Sequence, residues 1–458
     1  MKVQLTLPAY IVDVMDVFRL AGFSIFVVGG PVRDLLMGRP IDNWDLTTNA
    51  SPEAILKLFP SAKSTNDFGT IIVPLANGNS DDNAETPHII AEITPFRKEG
   101  DYSDGRHPDT IEWAKTLEED LIRRDFTINA IAYDGEALTD TTGGLKDIDA
   151  QIVRAVGDPA ARFQEDGLRL MRAIRFAVQL GFTIEPETYS AISTCAAMLQ
   201  KISWERIRDE LLKILASAQP AEGIMLLKET GLLAHILPEV DANFGVTQKS
   251  PNRHHIYDVG THLVEALRHC DSPDPIIRLA ALLHDIGKAQ THAIEEATGT
   301  ITFYNHEIVG ADMVSDIADR LRLSKKQKKL LVTLVRHHMF SVNELQTDKA
   351  VRRFIRNVGK ENIDAMLAVR HGDRVGSGAK PTSWRTELFK KRIVEVQQRP
   401  FDITDLKING HDVMTELQVK PGPIIGELLQ KLFEEVAAET LVNEKAPLMA
   451  KLHELASQ

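Results

Sequence analysis

The sequence predicts an α+β chain, with a mixed α/β first third followed by an all-α remainder. Three observations carry that reading. Apolar runs bounded by turn residues alternate with short helical patterns over the first third. From about Arg162 onward apolar residues recur three and four apart, and Gly231 and Pro238 punctuate helix ends. In order, Phe23–Val28, Gly69–Pro74 and His88–Ile93 read as strands, Val32–Met37 and Pro52–Leu58 as helices, and Asn77–Pro87 as a loop or hairpin tip. Phe163–Leu180, Pro186–Leu199, Trp204–Ala216 and Ala221–Thr230 then read as helices. Joints fall near Val156–Pro159, Phe244–Pro251 and Gly376–Pro381, and there is no internal repeat or low-complexity tract. The expected domains are 1–157, 158–245, 246–380 and 381–458.

Composition bounds the function. At 458 residues and 43% hydrophobic content the chain has material for several cores. No apolar run approaches the ~20 residues of a membrane span, and the N-terminus lacks a basic segment followed by a signal-type core. A cytoplasmic protein with no membrane partner is expected, and no protein partner is predicted. Cys195 and Cys270 alone exclude a disulfide framework or a cysteine zinc site and fit a reducing compartment. The net charge of -12 argues against bulk, charge-driven nucleic-acid binding. A local basic patch nevertheless runs from Arg320 to Lys360 and includes Arg352-Arg353-Phe354-Ile355-Arg356.

Chemistry concentrates first at Phe26-Val27-Val28-Gly29-Gly30-Pro31-Val32-Arg33-Asp34 and at Asn43-Trp44-Asp45-Leu46-Thr47-Thr48. Paired glycines after a buried strand let the backbone approach a triphosphate, and the following helix offers free N–H groups. Carboxylates on the next strand would hold a divalent metal against the phosphates. Strand positions i and i+2 share a face, so a metal pair should read Asp-x-Asp, yet here it reads Asn43 and Asp45. Asn43 offers one neutral oxygen; Asp42 points away unless a bulge re-aims it; Glu92, on a later strand, is a further carboxylate.

A second constellation comprises His262, His284-Asp285, His306, His337-His338 and Asp373. Adjacent His and Asp inside the apolar stretch Leu279–Lys288 are costly to bury without a partner, and a shared metal is the commonest one.

Four ordered motifs then resemble a known family, the class II tRNA nucleotidyltransferases (CCA-adding enzymes) and their bacterial poly(A) polymerase relatives. They are Gly29–Asp34, Arg123-Arg124-Asp125-Phe126-Thr127-Ile128-Asn129-Ala130, Glu165-Asp166-Gly167-Leu168-Arg169, and Gly143-Gly144 followed by Arg154-Ala155-Val156-Gly157. The resemblance spans nearly the whole chain. It implies a polymerase-β-like head, a helical neck, a helical body and a helical tail. It further implies that Gly30 and Arg33 contact the incoming nucleotide, Asp45 binds Mg²⁺, and Arg124 with Asp125 holds triphosphate and ribose. Asp166 and Arg169 would present hydrogen-bonding edges to the base of CTP or ATP, with Arg172 and Arg175 meeting phosphates. Counting from Gly38-Arg39, the family's first metal-binding aspartate falls on Asn43. That leaves open a variant built on Asn43, Asp42 or Glu92, an engineered substitution, or a head without catalysis.

The histidine set resembles the HD superfamily of metal-dependent phosphohydrolases. The implied ligands are His262, His284, Asp285 and Asp373, with His306 and His337 or His338 for a second metal or phosphate, Lys288 for phosphate charge, and a divalent transition metal or Mg²⁺ as cofactor. Ser203–Glu210 and Thr230–Glu239 resemble the neck that packs between head and body, and Ile408–Asp412 resembles the tail. The function so implied is template-independent addition of CCA to tRNA 3′ ends from CTP and ATP, with phosphohydrolysis in the body. Arg97–Pro108 resembles the flexible loop of full CCA-adding members. The alternatives are a poly(A) polymerase, a partial CC- or A-adding enzyme, and an HD phosphohydrolase with an impaired RNA-binding head.

Overall fold

In a computed structural model of the chain, residues 5–41, 43–64, 69–75, 89–99, 111–248, 256–340, 347–397, 403–437 and 440–457 are described. The N-terminal part is organised by strands β1 (Ile25–Val28), β2 (Trp44–Thr48), β3 (Lys63–Ser64), β4 (Ile71–Leu75), β5 (Ile89–Pro95), β6 (Arg97–Glu99), β7 (Ile111–Trp113), β8 (Ile131–Tyr133) and β9 (Leu138–Asp140). Seven of them form one mixed sheet in the order β3-β4-β5-β2-β1-β8-β9, while β6 and β7 pair separately. Strand periodicity decides what this sheet does. Trp44 and Leu46 on β2, with Ala91 and Ile93 on β5, bury against Ile11, Val14 and Phe18 of the Ala9–Leu20 helix and Ile55 of the Pro52–Leu58 helix. The alternate residues, Asp45 and Thr47 on β2 and Glu92 and Thr94 on β5, therefore take the opposite face. β2 and β5 run parallel with Asp45 directly opposite Glu92. On that face Val28, Phe96 and Ala132 pack with Leu117 and Leu121 of the Leu117–Ile122 helix.

Asn43 lies just outside the strand that carries Asp45. β2 begins at Trp44, and Asn43 stands before it, exposed on a bend. Asp42, the loop Asn77–Pro87 and the span 100–108 of the loop-like segment lie outside the described residues.

From the Pro159–Glu165 helix onward the described chain is nearly all helix. One core runs continuously from Phe126 and Ile128 through Ile174, Leu211 and Leu282 to Ile393 and Val396. The core is thus continuous on both sides of the expected joint near Val156–Pro159, while the expected joint near Phe244–Pro251 runs into residues 249–255, outside those described. Arg278 ties the same elements together, its Nη1 donating to the carbonyls of Leu215 and Ser217 at 2.6 and 2.8 Å. A separate core gathers Leu406, Val413, Leu432 and Leu448 in the C-terminal helices. The Trp384–Gln397 helix, expected with the tail, packs instead with the body, because Phe389 stacks on Phe340 at 5.5 Å and meets Phe354 at 5.2 Å.

Phe163–Leu180, expected as one helix, is two: Pro159–Glu165 and Leu168–Leu180. The break is a packing effect. A Cβ on Gly167 would lie 2.8 Å from the Met198 carbonyl oxygen, so glycine is needed there, and Asp166 takes an extended backbone (φ -143°). Asp166 consequently leads into the second helix, accepting from Leu168 N–H at 3.0 Å, and does not share a helical face with Arg169.

Candidate active site and metal centre

At the head, Gly29 has φ +77°, a left-handed conformation that glycine tolerates. A Cβ there would lie 3.2 Å from Arg124 Nη1 and 3.9 Å from Asp45 Oδ2, so the bare backbone sits beside both. Arg33 is buried and fixed, donating to Asn129 Oδ1 at 2.7 Å and pairing with Asp34 at 2.8 Å. Burial pushes the Asp45 carboxyl up to about 6; Arg124 opposes the rise, and the facing Glu92 adds to it. Two carboxylates side by side on adjacent strands, one of them costly to ionise, form an oxygen pair short of positive charge. A hard divalent cation supplies it, so these residues fit the metal. Asn43 is not brought into this pair by β2.

The pair also sets a pH dependence. Folding raises the Asp45 pKa, so the metal-free folded state keeps a proton that the unfolded chain loses, and this residue's contribution to stability falls as pH rises from about 4 to about 6. Metal must displace that proton, so Mg²⁺ should raise the melting temperature at pH 7.5 and lose most of that effect below pH ~6. Thermal melts with and without Mg²⁺ at both pH values check this. An Asp45→Asn control should show no Mg²⁺ shift from the head at either pH.

Arg124 and Arg123 clasp Asp120 at 3.0 and 2.6 Å. Burial would raise Asp120, but the two guanidinium groups overcome it and hold the carboxyl at about 2. Asp120 also accepts from Thr47 Oγ1 at 3.4 Å, so it orients Arg124 beneath the Asp45 strand. The residue was missed in the sequence, although its place four before Arg124, in the helix that ends two residues ahead of that arginine, is a signal for the pairing. Asp125 is held likewise: burial is outweighed by Arg172 and Arg169, which keep its pKa at about 2. Arg172 donates to it at 2.8 and 2.5 Å.

In the neck, Arg206 grips Asp166 at 2.7 and 3.2 Å. Arg169 pairs with Glu165 and donates to the Arg123 and Arg162 carbonyls at 3.2 and 3.1 Å. Arg175 bonds Glu210 at 2.6 Å. Arg172 and Arg175, expected to meet phosphates, are thus engaged within the protein here, and Arg206 and Glu210 join the site from a segment read as structural. Phe176, also missed, lies under three guanidinium groups, those of Arg175, Arg33 and Arg172 at 4.1, 5.3 and 5.4 Å. Its ring fixes the spacing of the cationic wall shared by head and neck.

The body brings the second constellation together. His262, His284 and Asp373 form one set of donor atoms, and Asp285, His306 and His338 form another, each within 4.8 Å. Asp285 faces both, with Oδ2 3.2 Å from His284 Nε2 and 3.4 Å from His262 Nε2, and Oδ1 3.1 Å from His306 Nε2 and 3.3 Å from His338 Nε2. Asp373 Oδ1 lies 3.4 Å from His262. His284, His306 and His338 each present Nδ1 to a backbone carbonyl at 2.8 Å, which leaves Nε2 aimed inward. The Nε2 atoms of His306 and His338 are buried without a hydrogen-bond partner. Such orphaned acceptors, with two carboxylates, are a donor set that fits one or two divalent metals.

Of the two adjacent histidines, the structure therefore places His338 in the cluster. His337 ends the Lys325–His337 helix half-buried, and burial together with Arg336 lowers its pKa. Lys288, expected to meet phosphate, bonds Asp285 Oδ2 at 2.6 Å and Gln248 at 3.0 Å. In the basic stretch, Arg320 is likewise used internally, paired with Glu239 at 2.6 Å.

A sheet head with a glycine turn, a carboxylate pair on adjacent strands and an arginine wall, leading into a helical neck, defines a nucleotidyltransferase. The chain matches the family model described as "Poly A polymerase head domain" over residues 25–154, the one described as "Probable RNA and SrmB- binding site of polymerase A" over 181–244, and "tRNA nucleotidyltransferase domain 2" over 295–452. It is 31% identical over 445 residues to the CCA-adding enzyme of Ligilactobacillus salivarius, covering 96% of this chain and 95% of that protein. It is 37% identical over 340 residues to the A-adding tRNA nucleotidyltransferase of Deinococcus radiodurans, covering 71% and 76%. The crystal structure of the Bacillus stearothermophilus CCA-adding enzyme in complex with CTP superposes with a TM-score of 0.71 at 27% identity, over 98% of each chain. The chain belongs to the family of CCA-adding tRNA nucleotidyltransferases and is an enzyme of that type, a class that works with a divalent metal. No described helix is long and apolar enough to cross a membrane.

Proposed function

We propose that the head adds C, C and A in turn to tRNA 3′ ends from CTP and ATP, in the cytoplasm, and that the body hydrolyses phosphate esters at RNA ends. The observation that carries the first part is the juxtaposition of Asp45 and Glu92 with the Gly29 backbone and Arg124. The divisions 1–157, 158–245, 246–380 and 381–458 would serve as head, neck, body and tail, with the Trp384–Gln397 helix at the start of the last one packed on the body. Asp45 and Glu92 would hold Mg²⁺, which lowers the pKa of the RNA 3′-OH and neutralises charge on the leaving pyrophosphate. The residues do the rest by position. Gly29 and Gly30 admit the triphosphate against the backbone, and Arg124, oriented by Asp120, neutralises developing phosphate charge. Arg33, locked by Asn129, holds the next position along it.

Asp166 and Arg169 would read the base edge, which requires Arg206 to release Asp166 or to share it with the nucleotide. Asp166→Ala should therefore abolish the preference for CTP and ATP over UTP and GTP while leaving body hydrolysis intact, as measured by competition between labelled nucleotides. Retained selection would remove the template role. The 37% identity to an A-adding enzyme favours one second reading, addition of A alone to ends that already carry CC.

For the body, the orphaned His306 and His338 Nε2 atoms support a bound metal pair, and Asp285 would serve both sites. His262, His284, Asp285, His306, His338 and Asp373 would hold the metal, which when bound would supply an activated water for attack on a phosphate ester. Lys288 offsets the Asp285 charge, so its own contact with substrate would come through that carboxylate's surroundings.

A further inference from the structure

The Ile363–Gly376 helix, which carries the cluster residue Asp373, also walls a cavity of about 510 Å³ together with the start of the Trp384–Gln397 helix. Four cations line it, Arg370, Arg374, Arg385 and Lys390, and no carboxylate is among its described lining residues. In a chain of net charge -12 that is a local concentration of cations, with Arg370 paired to Asp373 and Lys390 to Glu387. Contacts anchor them along its wall. Arg374 Nε donates to the Lys380 carbonyl at 2.7 Å, Lys390 reaches Glu387 at 3.2 Å, and Arg385 lies over the Trp384 ring at 5.2 Å.

The remaining wall is aromatic. Trp384 is 62% exposed, and Phe340 lies beneath Arg370 at 5.6 Å. An open indole beside arginines is the arrangement that takes a nucleobase on its face and a phosphate on the cations. The Ser383 and Thr386 hydroxyls, 3.0 Å apart on the same rim, suit a ribose. The cavity is coupled to the metal-ligand cluster through one contact. Arg370 Nη1 donates to Asp373 Oδ2 at 2.9 Å, while Oδ1 of the same carboxylate faces His262 at 3.4 Å and His284 at 3.6 Å.

We propose that this cavity seats the terminal nucleotide of an RNA 3′ end, with the base on Trp384 and its phosphate among Arg370, Arg374, Arg385 and Lys390, beside the body cluster. The seat gives the phosphohydrolase reading its substrate and rests on that reading for its purpose, but binding itself requires no metal. The test uses the full chain stripped of metal with a chelator. Calorimetry and quenching of tryptophan fluorescence follow titration with cytidine 3′-phosphate, inorganic phosphate, and a short oligoribonucleotide ending in a 3′-phosphate. Trp384→Ala and the double variant Arg385→Ala/Lys390→Ala change exposed side chains, and thermal melts check their fold. Each should weaken the nucleotide and the oligonucleotide about tenfold, the size of one lost stacking or charge contact. Affinities unchanged in both variants would overturn the seat. Inorganic phosphate binding as tightly as cytidine 3′-phosphate would overturn the base contact, and an oligonucleotide no tighter than the mononucleotide would overturn an RNA end as the occupant. With the seat's affinities as expected, absence of ester hydrolysis in the metal-loaded wild type would sink the phosphohydrolase reading and leave the seat standing.

Discussion

Asp45→Asn is expected to lower nucleotide addition by about 10³-fold or more, because several kcal/mol of transition-state stabilisation pass through the metal it holds and each 1.4 kcal/mol is tenfold. The amide is nearly isosteric, so β2 and its pairing with β5 should survive. The metal-free variant should even gain slightly in stability above pH ~6. There the wild-type carboxylate is ionised against its burial and against Glu92, whereas the amide is neutral. That combination, activity lost and stability kept or raised, separates a metal ligand from a structural residue. Incorporation of labelled CTP, with a thermal melt in chelator, reads both. A variant that stayed within tenfold of wild type would transfer the metal to other groups.

Asp285→Asn should have the second largest effect. The residue faces both donor sets, so its loss should cut metal affinity of the body by 100-fold or more and abolish any ester hydrolysis. The metal-free variant also strands Lys288, which is buried against Asp285, at a cost of about 3–5 kcal/mol for a broken buried pair. In the wild type, burial opposes protonation of His284, but Asp285 and Asp373 overcome it and raise its pKa to about 10. Metal binding at neutral pH should therefore release a proton, and the measured enthalpy should vary with the ionisation heat of the buffer. Titration with Mn²⁺ in two buffers tests the wild type, and the variant should show no such heat. Nucleotide addition by the head should persist in Asp285→Asn.

The parts of this architecture legible in the sequence are those set by local pattern. The Gly29-Gly30 turn follows an apolar strand, β1, and the helices Trp204–Ala216 and Pro52–Leu58 begin and end where their apolar spacing and Ser or Pro caps say they should. Glu92 could be named a candidate because it alternates with apolar neighbours on a strand, but only the parallel register of β2 and β5 puts it opposite Asp45. Tertiary contacts decided the rest. The break at Asp166 follows from Gly167 meeting the Met198 backbone, about thirty residues away, which no local periodicity encodes. His337 and His338 are adjacent and alike in type, and the end of their helix decides which of them turns inward. Phe176 reads as an ordinary core residue at helical spacing until Arg33 arrives from the head. Asn43 shows the limit most plainly: a residue count aligned it with a ligand, but the strand that would aim it begins one residue later.

Whether the head builds the CCA end is read from the product: the full chain is incubated with a tRNA transcript lacking its CCA end, CTP, ATP and Mg²⁺, and the 3′ termini are sequenced. C, C and A should be added in that order, stopping after A. Termini that stay unextended, or that gain A only when the transcript already ends in CC, would contradict CCA building by the head.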